Sequence, residues 1–186
     1  VLLKKVLGFI PAENHCIDSH AMTQTLEQQF CKVSSDGTKS WYLHDKLHKL
    51  HKLHRIDGPA IEYSDGTKHW YQNDKRHRID GPAVIYPNGD KYWHQNGKLH
   101  RIDGPALILS DGTKHWYQND KRHRIDGPAI IYPDGEKQWF QNDLLHRING
   151  PAIEYSDGTK YWYLHGKIVT QQDIMKFSPL IMFFII

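Results

Sequence analysis

Cysteine is nearly absent. The chain of 186 residues holds two, Cys16 and Cys31, and both lie outside the full repeat copies. No disulfide framework therefore holds those copies together, and Cys16–Cys31 is the single pairing open to the chain. Long apolar runs are missing too. The tail "PLIMFFII" is strongly apolar but far short of the ~20 residues that a membrane-spanning helix needs, so no transmembrane span is expected. "VLLKKVLGF" at the start lacks the layout of a secretory signal, and a cytoplasmic location is favoured. Neither sign of charge is in excess: the formal net charge is +3. That balance does not by itself call for nucleic acid, and no specific nucleic-acid contact is expected. No Ser-His-Asp or Cys-His arrangement stands out. The chain reads as a non-enzyme without cofactor.

What is present is a repeat, and repeats decide the fold before anything else does. "HRIDGPA" begins at His54, His77, His100 and His123, and returns as "HRINGPA" at His146, with a period of 23 residues. A partial copy, "SSDGTKSWYLHDKLH", comes before them. The insertion "KLHKLHKLH" then adds two triplets ahead of His54. Residues 54–99 match residues 100–145 at 36 of 46 positions, as tandem duplication of a two-repeat block would leave them. Identity between copies is therefore weak evidence of need, and the positions that vary are the informative ones.

Each copy reads as a β-hairpin. "AIEY" or "AVIY" is rich in β-branched and aromatic residues. A turn such as "SDGT" or "PNGD" follows, with Gly supplying the positive φ. A second strand such as "KHWYQ" leads to a second turn, "NDKR" or "NGKL". The Gly-Pro pair breaks the ladder and restarts the first strand. Edge-to-edge pairing of successive hairpins predicts an all-β, elongated antiparallel sheet, a solenoid of tandem hairpins about 10 Å long per repeat. Trp70, Trp93, Trp116, Trp139 and Trp162 are assigned with Ile61 and Tyr63 to the packed face, each indole against its counterparts in neighbouring copies. The residues flanking each Trp go to a half-exposed face.

The ends differ from the middle, as capping requires. Residues 1–30 are expected to form an N-terminal cap, with "TQTLEQQF" weakly helical. Residues 31–168 form the array, its partial copy spanning 31–53. Residues 169–186 hold a short capping helix, N-capped by Thr170 with Asp173 in a capping-box place, and the apolar tail. Ile174 and Phe177 would share the apolar stripe of that helix.

"HRID" looks like the catalytic loop of a protein kinase, but such a loop works once, beside parts that this chain lacks. A structural role fits better. Asp57, Asp80, Asp103 and Asp126 would accept turn N–H groups or pair with Arg on the same or the next rung. Gly58, Gly81, Gly104 and Gly127 would serve the turn. Asn149 in the last copy keeps the turn chemistry and drops the charge. His48, His51 and His54 lie three apart, yet short His-rich tracts are only compositional hints, and no metal site is expected.

Two surfaces are candidates. Lys75, Arg76, Arg78, Lys121, Arg122 and Arg124 fall in turns joining hairpins, so they would line one basic margin of the ribbon. The other margin would be acidic through Asp36, Asp65, Asp111 and Asp157. A basic margin suits acidic partner chains or lipid phosphates. Tyr71, Tyr92, Tyr117 and Tyr163 would form an aromatic strip able to stack on a glycan.

"NGKLHRIDGPALILSDGTKHW", residues 96–116, resembles MORN (membrane occupation and recognition nexus) repeats: N-G-K-x-H, then D-G, then aromatics around Trp. The resemblance spans roughly residues 35–168. It departs from the family pattern where Arg78, Arg101 and Arg124 follow the His in place of Gly, and where the Gly of Y-x-G-x-W is missing. It implies hairpins in an elongated, twisted sheet, and protein scaffolding, sometimes on anionic lipid. The expectation is a non-enzymatic scaffold for a protein partner or an acidic surface, with glycan binding as the alternative.

Overall fold

The computed structural model describes residues 27–45 and 50–177. Within them the chain is almost wholly β, with one short helix, Gln171–Phe177. The main sheet has fourteen antiparallel strands, and each hairpin pairs with the next. Ile61–Glu62 pairs with Lys68–His69 across "SDGT", and Lys68–His69 pairs onward with Val84–Ile85 of the following copy. The same step recurs as far as Ile153–Glu154 and Lys160–Leu164. Gly66 closes the first turn at φ +89°, a left-handed value that costs glycine little.

The second strand departs from expectation at its centre. Lys68–His69 belongs to the main sheet, whereas Tyr71–Gln72 pairs with Lys75–Arg76 as a separate two-stranded piece. The cause is the motif segment. Trp70 donates its N–H to the carbonyl of Ala83 and accepts from His77 N–H, so residues 78–82 leave the ladder opposite the indole. On the other side, Ala83 donates to Tyr92 and Arg78 to His94, so the same segment bulges from both its neighbours. Five such fins project: 55–59, 78–82, 101–105, 124–128 and 147–151. The two-stranded pieces join rung to rung, Gly97 N–H to the Arg76 carbonyl and Asp120 N–H to that of Leu99. The array is thus two parallel ladders, joined along a line of Trp and Ala.

The fin explains its own sequence. The guanidinium of Arg78 lies 4.2 Å over the Trp70 ring. Its Nε donates to Asp80 at 3.0 Å and its Nη1 to the Pro82 carbonyl at 3.3 Å. A Cβ on Gly81 would come within 3.0 Å of Arg78 Cζ. Glycine is thus needed here for close approach of the guanidinium. The Arg101, Arg124, Arg55 and Arg147 stacks repeat this geometry on Trp93, Trp116, Trp41 and Trp139. Each of these indoles is covered by the arginine of the next copy, where a neighbouring indole was expected.

Much of the core lies on the side away from the fins, and Trp41 and Trp139 are buried as well. Ala60, Ala83, Ala106, Ala129 and Ala152 are fully buried, and Ile61, Val84, Ile130 and Ile153 are buried beside them. Ile130 of the main sheet packs with Phe140 and Leu145 of the second ladder. Of the residues flanking each Trp, His69, His94 and Phe140 are buried, against the half-exposed face assigned to them, while Tyr71, Tyr92, His115, Tyr117, Gln138 and Tyr163 are half-buried as assigned. Alternation sends a strand's odd and even residues to opposite sides, and the fins already occupy the indole's side.

At the start, Glu27–Val33 pairs with Lys39–Asp45. Part of "TQTLEQQF" is therefore strand rather than helix, and the sheet begins at Glu27 instead of residue 31. Cys31 is buried opposite Trp41. Leu50–Leu53 pairs back onto Lys39–Asp45, so the triplet insertion lengthens one hairpin. Residues 1–26, with the rest of the expected N-terminal cap and Cys16, and residues 178–186, with the apolar tail, lie outside the described residues. Asp173 N–H donates to Thr170 Oγ1 at 3.2 Å and Thr170 N–H to Asp173 Oδ2 at 3.1 Å, the expected capping box. Ile174 is buried, while the side chain of Phe177 lies outside the description.

Candidate interaction surface

Of the six cations assigned to the basic margin, three are held in contacts within the fold and a fourth is half-buried. Arg78 and Arg124 lie on Trp70 and Trp116 and pair with Asp80 and Asp126. Arg122 lies 4.0 Å over Phe140 and bonds Asp143 at 2.8 Å. Arg76 is half-buried, its Nε buried opposite Tyr71. Lys75 and Lys121 stand exposed.

The margins do not carry opposite signs. Asp74 and Asp120 sit beside these lysines and accept Leu53 and Leu99 N–H, each at 2.8 Å. On the other margin Asp36, Asp65, Asp111 and Asp157 accept the N–H of the Thr two residues on. Those bonds hold their carboxyls below the usual range. Next to them runs a row of lysines.

That row went unrecognised in the sequence. The register places Lys39, Glu62, Lys68, Ile85, Lys91, Ile108, Lys114, Ile131, Lys137, Glu154 and Lys160 side by side across the main sheet. Every lysine of the row is exposed. None makes an ion pair among the described residues. At two strands per repeat the lysines stand about 10 Å apart. The signal was available: in each copy a Lys lies two residues before the Trp, and so on its side of the strand.

Tyr71, Tyr92, Tyr117 and Tyr163 are half-buried. The ring of Tyr71 lies 6.2 Å from the buried His69, on the inner side. Burial raises the pKa of Tyr92 and Tyr117. Burial, followed by the Arg76 charge, pushes His69 and His94 down to about 4. The histidine that opens each motif has another duty: Nδ1 of His54, His77, His100 and His123 accepts the N–H of the turn Asn 19 residues on.

Six of the seven motif residues are now accounted for. His caps a turn, Arg covers an indole, Asp holds Arg, Gly makes room for it, the Pro carbonyl accepts from it, and Ala fills the core. Ile has no such task. Ile56, Ile79, Ile102 and Ile125 are 80–81% exposed at the fin tips, and Ile148 is 45% exposed. Between fins lie open grooves. The one between 78–82 and 101–103 measures about 480 Å³ and has Trp93 and Gln95 between its walls. The next, with Trp116 and Gln118, measures about 600 Å³.

Of the histidine triplet, His51 Nδ1 lies 3.3 Å from His44 Nδ1, His54 serves its turn, and His48 is outside the described residues. Among the described residues, no three His, Cys, Asp or Glu side chains stand close enough to hold one ion. No helix among them is long and apolar enough to cross a membrane. No protein-family model matches the chain, and no curated protein is significantly similar to it.

Proposed function

We propose that the chain is a non-enzymatic repeat scaffold, a divergent MORN-like array, which binds an acidic protein surface along its lysine row. The observation that carries this reading is the row itself. Cations that pair with nothing in their own fold, repeated at a fixed interval along one side of a sheet, suit an extended anionic partner. They do not suit one small molecule. The grooves have the volume of small-molecule pockets but lie open and recur, which supports a repeated contact over a single ligand. A glycan reading draws less support, because the tyrosines it needs are half-buried and each interior indole has an arginine on one face.

The test is binding of the intact chain to immobilised polyglutamate, with phosphatidylserine vesicles as a second arm. Retention is expected at about 50 mM salt and loss at about 300 mM, since exposed charges are screened over such a range. Lys68, Lys91, Lys114 and Lys137 changed together to Gln should weaken it at least roughly tenfold. Vesicle binding without polyglutamate binding would move the partner from protein to lipid. Retention by the quadruple variant equal to that of the unaltered chain would remove the lysine row from the function.

A further inference from the structure

We infer that the fins are a docking surface for a second copy of this chain, the two combs interlocking antiparallel with the isoleucine tips of each seated between the fins of the other. This rests on the isoleucines and grooves, and the lysine row borders the same face.

Three features point to that occupant. The first is period. Fins recur every two strands, about 10 Å, and the grooves between them recur at that same interval. A partner must match this spacing over several repeats to engage all the tips, and a second copy matches it by construction. The second is chemistry. A tip presents Ile79 with Asp80 beside it, both about four-fifths exposed. The groove it would enter has the Trp93 indole at its base, Pro82 on one wall, and His100 and Arg101 on the other. The apolar tip meets the indole and Pro, and the tip carboxylate meets the Arg101 guanidinium. The third is area. Five fins cover about 40 Å of ribbon, and the outer face is about 16 Å wide from the lysine row to the second turn. That is about 600 Å² in projection. Corrugation brings it to the roughly 800 Å² per partner of a standard stable interface.

An antiparallel arrangement about a two-fold axis across the ribbon offsets one comb by half a period and closes as a dimer.

Sedimentation equilibrium of the intact chain tests this over about 1–200 µM, the range in which a modest interface of this size self-associates. A dimer is expected, and it should survive about 1 M sodium chloride because the contact is mainly apolar. Ile79→Ser, Ile102→Ser and Ile125→Ser together should shift association at least roughly tenfold toward monomer, since three central anchors go. Ile102→Leu should leave it nearly unchanged. The substituted side chains are exposed on the single chain, so its fold should survive, and an unchanged far-ultraviolet circular dichroism spectrum checks this. A monomer at every concentration would overturn the inference. A dimer that ignores the triple serine variant would also overturn it, and would point to pairing through a strand edge. The variants separate the two proposals: polyglutamate binding unchanged in the quadruple lysine variant, with a dimer that the triple serine variant breaks, fails the lysine row alone.

Discussion

The interior copies and the two end strands treat the same residue differently. Around Trp70, Trp93, Trp116 and Trp139 the strand splits into two short pieces. Around Trp41 and Trp162 it runs through, as Lys39–Asp45 and Lys160–Leu164. An interior indole has a fin on either side, so its backbone loses regular partners twice. Each end strand keeps one neighbour without a bulge: Glu27–Val33 at one end and Lys167–Val169 at the other. The split is therefore imposed by the fins and is no preference of the Trp-containing segment. The ends also differ from each other. Trp41 is covered by Arg55, whereas no fin follows Trp162 to supply an arginine.

Removing an indole should break this symmetry most strongly. Trp116→Ala deletes a side chain that packs on the core and carries Arg124, and about 3–4 kcal/mol of stability should go with it. Trp162→Ala removes no such stack and lies in the last hairpin, so it should cost about half as much. Urea unfolding followed by far-ultraviolet circular dichroism measures both. Equal losses would mean that the arginine covers add nothing to the array.

Most of the fold was legible because the 23-residue period, the turn glycines and the capping box are local signals. The face assignment failed for a reason of register. The "SDGT" turn sets Ile61 against His69, not against Trp70. A slip of one residue in that pairing sends every side chain to the other face. Once it is corrected, the lysine row follows from parity alone. The isoleucine tips were harder to find. A β-branched residue inside a motif looks like core until the bulge is seen, and the bulge depends on hydrogen bonds from both neighbouring strands.

Acid should divide the interior from within. His69, His94 and His115 lie in the first three full copies, while the last two carry Gln138, Phe140, Tyr161 and Tyr163 in their place. The folded values of His69 and His94 are lowered to about 4, so between pH 6.5 and 4 the unfolded chain binds protons that the folded chain refuses. Stability from these groups is fully present above pH 6.5 and falls as pH drops toward 4, by about 1–2 kcal/mol each. Amide exchange at pH 4.5 against pH 7 should show residues 54–122 losing protection before residues 123–169. Uniform loss along the array would show that His69, His94 and His115 do not control it.

The smallest effect concerns how the fins hold their arginines. In the last copy Asn149 stands where the others have Asp, and Arg147 bonds Glu154 at 2.7 Å. In the first full copy Arg55 has both Asp57 at 3.0 Å and Glu62 at 3.7 Å. The third copy has Ile108 at the glutamate position, so Asp103 is the one carboxylate paired with Arg101. Asp103→Asn should therefore lower the thermal midpoint slightly, and Asp57→Asn should not. Adding Ile108→Glu to Asp103→Asn should restore the midpoint, because the arginine over Trp93 needs one carboxylate and tolerates either source. A double-mutant cycle on these two positions reads the coupling directly. A coupling of zero would mean that the stack on the indole alone holds the guanidinium in place.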